Sequence, residues 1–136
     1  MALALHVGPE SFEVGTPSFL RSFFSTVFVR LEGSSWGSRF PTIMGQFYSG
    51  RLDSRQSAIA LAELQGIRQE FEALRVADIV WDHERAQGSP PWGSNISPDI
   101  HNLADYFVTS SGKPFLDVLE TALKQAQTHP GGISIE

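Results

Sequence analysis

The stretch from Thr16 to Gly33 limits the fold more than any other part of the chain. Thr16-Pro17 is an N-cap residue followed by proline at the first helical position. From Pro17 to about Glu32, the side chains of Phe19, Leu20, Phe23, Phe24, Val27, Phe28 and Leu31 fall on one broad helical arc. Arg21, Ser22 and Ser25 fall on the other side. A helix with so wide an apolar face needs a broad apolar surface to lie on, which points to a sheet. Gly33 supplies the stop.

The sheet is announced at the N-terminus. Leu3, Leu5 and Val7 alternate with Ala2, Ala4 and His6, a period of two that marks a strand. Gly8-Pro9 turns the chain, and Ser11 to Val14 return as the second strand of a hairpin. Beyond Gly33, the spacing of Phe40, Ile43, Met44, Phe47 and Tyr48 predicts a short helix that starts near Pro41 and ends at Gly50. Asp53 or Ser54 caps a longer one running to about Leu74, with Ala60, Leu64, Ile67, Phe71 and Leu74 as its apolar stripe. Gly66 lies inside it and costs about 1 kcal/mol relative to alanine.

Ile79-Val80-Trp81 reads as a short strand, and residues 83–97 as a Gly/Pro/Ser-rich loop. Ser97-Pro98-Asp99 repeats the cap-plus-proline signature. Ile100, Leu103, Ala104 and Phe107 then keep helical spacing, although Tyr106 to Thr109 suits a strand equally well. Pro114 opens the last helix, whose apolar face is Phe115, Leu116, Leu119, Ala122, Leu123 and Ala126, with Glu120 and Lys124 paired on its outer side. The expected fold class is α+β: a small, mostly antiparallel sheet with an N-terminal hairpin, covered on one face by three to four helices. Residues 1–136 are expected to form one domain, with 129–136 as a frayed tail after Pro130-Gly131-Gly132.

Composition narrows the function. Hydrophobic residues make up 41% of the chain and charged residues 18%, which suits a globular core, and ten phenylalanines make that core aromatic. The absence of cysteine excludes disulfides, thiolate zinc sites and cysteine nucleophiles. The segment from Met1 to His6 has no basic region and too short an apolar run for a signal peptide, so a cytoplasmic location is expected. No apolar run approaches a membrane span.

Charge is unevenly spread. Residues 1–75 hold seven acids and seven Lys/Arg, whereas residues 76–136 hold eight acids and three Lys/Arg and so carry the whole net charge of −5. Such a chain repels nucleic acid and attracts basic partners. Asp78, Asp82, Glu84, Asp99 and Asp105 crowd around the long loop and are the candidate partner-binding residues. Trp92, in Pro90-Pro91-Trp92-Gly93, is a candidate anchor among them. A solubilising acidic face and a core-anchoring tryptophan are the ordinary alternatives.

Catalytic motifs are absent from the sequence: there is no glycine-rich phosphate loop, no GxSxG elbow and no HExxH. Asp82-His83-Glu84 places three polar side chains in a row that diverge on any regular element. His101 and Asp105, four apart, share a helix face without a third ligand. No catalytic, cofactor or metal residues are assigned. His6 reads as a half-buried structural histidine, Trp36 as a core anchor, and Ser110-Ser111-Gly112 as a turn.

The chain resembles the immunity protein 70 family of bacterial polymorphic toxin systems. The resemblance is carried by Ala2-Leu3-Ala4-Leu5, Glu13-Val14-Gly15, Gly37-Ser38-Arg39-Phe40-Pro41-Thr42 and Val80-Trp81-Asp82. It continues through Pro90-Pro91-Trp92-Gly93 and Leu103-Ala104-Asp105-Tyr106-Phe107-Val108-Thr109-Ser110, followed by Gly112. It spans about residues 2–126. It implies a cytosolic antidote that binds and neutralises a cognate toxin domain, with no catalysis of its own. A basic, nuclease-like toxin domain is the partner that the acidic half suits. The competing readings are a small hydrolase or metal-dependent enzyme using His83, His101 and nearby carboxylates, and an adaptor or chaperone for a secreted effector.

Overall fold

A computed structural model describes residues 3–33, 35–75, 78–80 and 100–136. Strand β1 (Leu3–Val7) buries Leu5 and Val7 and leaves Ala4 and His6 half-buried on its other face. Gly8 takes φ 58°, a conformation that glycine adopts without strain. The Gly8-Pro9 loop therefore closes a two-residue hairpin to β2 (Glu10–Gly15), antiparallel to β1. The register pairs Val7 with Glu10 and Leu5 with Phe12. It holds as far as Ala4 with Glu13 and then shifts, so that Leu3 pairs with Gly15. The expected hairpin is present.

Thr16 caps α1 (Pro17–Thr26), its Oγ1 accepting from the Phe19 N–H at 3.2 Å. The sequence reading carried one helix to Glu32. The chain instead widens at Val27 into a π-helix, Val27–Glu32, ended by Gly33 at φ 74°. The change follows Thr26, whose hydroxyl donates to the Ser22 carbonyl one turn back at 2.8 Å, a back-bond of the kind that bends helices. A second π-helix, Thr42–Phe47, stands where a short helix was expected. β3 (Arg51–Leu52) was not foreseen. Next comes α2 (Ser54–Glu72), with Asp53 at its N-cap position but without a side-chain capping hydrogen bond, and with Ala60, Leu64, Ile67 and Phe71 fully buried. Gly66 leaves the space beside Phe40, which an added Cβ would meet at ordinary contact distance.

The expected strand at Ile79-Val80 is corrected. Neither residue lies in a strand, and Trp81 is outside the described residues. Val80 is satisfied by side chains instead. Its N–H donates to Thr26 Oγ1 and its carbonyl accepts from Ser22 Oγ, both at 3.0 Å. The choice at 103–109 resolves both ways: α3 (Leu103–Tyr106) is one short turn, and Val108 then bridges Pro114. α4 (Phe115–Ala126) follows, with the Glu120–Lys124 pair at 3.8 Å.

The expectation of a frayed tail is also corrected. Ile133–Ile135 form β4, which lies between β1 and β3 and is antiparallel to both, so that the sheet runs β2-β1-β4-β3. Pro130-Gly131-Gly132 is a turn into the sheet. Gly132 adopts φ 66°, and a Cβ there would fall on the Leu52 carbonyl. Ile133 is fully buried, and this anchors the strand.

Leu5, Val7, Leu52 and Ile133 turn the apolar face of the sheet toward the helices. The core above it is aromatic, as composition suggested. Phe23 is fully buried and meets Phe24, Phe71, Phe107 and Phe115 edge-on, with centroids 5.0–6.1 Å apart. Each such ring pair adds about 0.5–1.5 kcal/mol beyond simple burial.

Candidate partner-binding surface

The acidic candidates separate when placed on the fold. Asp78 is half-buried and occupied locally. Its carboxylate accepts from the Arg75 N–H at 2.9 Å and lies 3.8 Å from the Arg75 guanidinium, while its carbonyl accepts from Arg30 Nε at 2.8 Å. Asp105 is exposed at the start of α3, its N–H donated to the capping Asn102 Oδ1 at 3.1 Å. A hydrogen bond from Leu103 N–H to the Leu74 carbonyl ties the start of α3 to the end of the α2 segment. Asp82, Glu84, Trp92 and Asp99 lie outside the described residues, as does His83. His101 is exposed, and no hydrogen bond joins it to Asp105. Among the described residues, no group of three or more His, Asp or Glu side chains is placed to hold a metal ion.

Two other carboxylates are used inward. Glu32, 8% exposed, ends the first π-helix and accepts three backbone amides: Gly37 at 2.9 Å, and Arg39 and Phe40 at 3.1 Å each. Glu63, reaching from α2, accepts the amides of Thr42 and Ile43 at 3.1 and 2.9 Å. A helix start leaves its first amides without intrahelical partners, and Glu63 fills that need for the second π-helix. Arg39 closes the assembly, donating to the Leu31 carbonyl at 2.8 Å and, two-pronged, to Glu70. The hydrogen bond to Glu70 raises the Arg39 pKa above its ordinary value, against a weaker lowering by burial.

This scaffold positions an aromatic wall that the sequence reading missed. Trp36 is half-buried, with Nε1 donating to the Met44 carbonyl at 2.7 Å. Tyr48 packs edge-on against Trp36 at 4.9 Å and against Phe24 at 5.0 Å, yet remains 45% exposed. Beside them lies a groove of about 520 Å³, also lined by Leu20, Arg21 and Ile135. Trp36 was read as a core anchor and Tyr48 as part of an apolar stripe. A π-helix turns less per residue than an α-helix, so a stripe drawn at 3.6 residues drifts, and Tyr48 emerges at the surface.

The fold and these surfaces define a small α+β domain built around one aromatic core, with carboxylates and aromatic rings offered at its surface. The chain belongs to the Immunity protein 70 family, whose sequence profile matches residues 5–135. It is therefore an immunity protein, and the family resemblance read from the sequence motifs holds through β4 as well. No curated protein and no solved structure matches the chain. Among the described residues, no helix is long and apolar enough to cross a membrane.

Proposed function

We propose that this immunity protein binds the catalytic domain of one cognate toxin in the cytosol and blocks it, protecting the producing cell and its kin. The observation that carries this reading is the family match over residues 5–135, nearly the whole chain. The charge distribution supports it. The excess negative charge lies entirely in residues 76–136, with Asp105 exposed among them, which suits a basic, nuclease-like toxin domain. Opposite charge speeds encounter and sets specificity.

The test is co-expression with the toxin domain encoded beside this chain. Cells that carry both survive, and a one-to-one complex co-purifies. Death at the rate seen with toxin alone would refute the reading. Neutralising Asp78, Asp82, Glu84, Asp99 and Asp105 together slows association, most strongly at low salt. An unchanged rate at low ionic strength would remove these residues from the interface.

A further inference from the structure

The order of the sheet leaves β2 as its long outer edge; β3, on the opposite edge, is only two residues long. The backbone directions along β2 follow from its neighbours. Ala4 exchanges both of its backbone hydrogen bonds with Glu136, so Ala4 faces β4. By alternation Leu5 and Val7 face β2, and their partners Phe12 and Glu10 face back. Ser11 and Glu13 therefore turn their N–H and C=O groups outward, and among the described residues no backbone partner meets them there. The open stretch ends at Val14, whose carbonyl already accepts from the Ser110 N–H at 3.0 Å.

A trough of about 440 Å³ runs beside this edge. Ser11, Phe12 and Glu13 form one wall, and Lys113, Asp117 and Val118 face them. Unpaired edge groups are a template for another strand, and a neighbouring strand sits about 4.8 Å away. We propose that the toxin docks here by β-augmentation, an extended basic segment of it adding a strand to β2. The inference rests on the antidote reading above.

Ser11 and Glu13 supply the ladder hydrogen bonds. Alternate side chains of the added strand settle on Phe12 and Val118. Charge selects the occupant: Glu13 and Asp117 line the trough against Lys113, and Glu10 is exposed at the start of the same strand. Arg68 already pairs with Asp117 at 2.9 Å, and the 60% exposed Asp117 side chain still borders the trough. A second copy of this chain is disfavoured, because β2 against β2 would bring the two sets of Glu10 and Glu13 together.

The decisive experiment pairs calorimetry with amide hydrogen exchange, using the toxin domain encoded beside this chain. Ser11→Pro removes an outward N–H that the fold does not use, and proline is tolerated on edge strands. Its Kd for the toxin rises about tenfold or more while its melting temperature stays within a few degrees. Glu13→Lys slows association several-fold at low salt and much less at high salt. In the complex of the unaltered chain, the Ser11 and Glu13 amides become protected.

If the toxin binds with those amides still exchanging freely and both variants binding like the parent, the β2 edge is overturned and the antidote role stands. Failure of the unaltered chain to bind overturns the antidote role and this inference with it. Protection that grows with protein concentration in the absence of toxin identifies a second copy as the occupant and also overturns it. Should Ser11→Pro misfold, Glu13→Lys and the exchange measurement decide alone.

Discussion

Glu32 and Asp105 carry the same charge in two regions used in opposite ways. Around residues 32–43, Glu32 and Glu63 spend their carboxylates on five backbone amides, three in the loop between the two π-helices and two at the start of the second. Around α3, Asp105 is exposed and its environment is set by a separate cap, Asn102. The first region turns acidic residues into internal scaffolding, and the second leaves its charge exposed to solvent. A count of charges along the chain treats them alike. Burial and hydrogen bonding separate them, because a buried carboxylate must be satisfied by donors while an exposed one is satisfied by water.

Substitutions along this contrast should rank in order. Glu32→Ala strands three amides in a part-buried loop and is expected to lower stability by about 3 kcal/mol in chemical denaturation. A loss below about 1 kcal/mol would show that water takes over those amides and that the loop is not held by this side chain. Glu63→Ala removes the partner of two amides and is expected to cost about 2 kcal/mol, with the Trp36 fluorescence environment altered as the second π-helix loosens. Asp105→Asn is expected to change stability by less than about 0.5 kcal/mol, while slowing toxin association at low salt. A stability loss approaching that of Glu63→Ala would erase the distinction between the two regions.

The smallest effect concerns pH. Glu120 accepts a hydrogen bond from Gln65, and this, aided by Lys124 and Arg68 and opposed by partial burial, lowers its pKa below 4.5. A carboxylate with a lowered folded-state pKa contributes stability above its unfolded value and loses it as pH falls through the folded one. Exposure and solvent screening keep that contribution small. Gln65→Ala should move the Glu120 titration upward toward the ordinary carboxylate value, read by NMR, with little change in melting temperature at neutral pH.

Much of the helical framework was legible residue by residue. Thr16-Pro17 caps α1, α2 starts directly after Asp53, and Phe115 to Ala126 form α4 with the predicted apolar face. These elements announce themselves because capping chemistry and a 3.6-residue period are local. The candidate site was less legible. Glu32 looks in sequence like a charged residue at a helix end, and Tyr48 like one more member of a stripe. The edge of β2 gave no signal, since which strand lies outermost depends on pairings that cross the whole chain.

The sequence by itself determined the α+β class, the Gly8-Pro9 hairpin, the aromatic core and the family to which the chain belongs. Each of these rests on short-range pattern or on motif order. Only the tertiary structure decided that Ile133–Ile135 enter the sheet, that Val80 is held by Ser22 and Thr26, and that two helices widen into π geometry. Strands of two or three residues carry no readable period. Their pairing comes from partners as distant as 130 residues, such as Leu5 for Ile135. Those partners are chosen by packing, which local sequence does not encode.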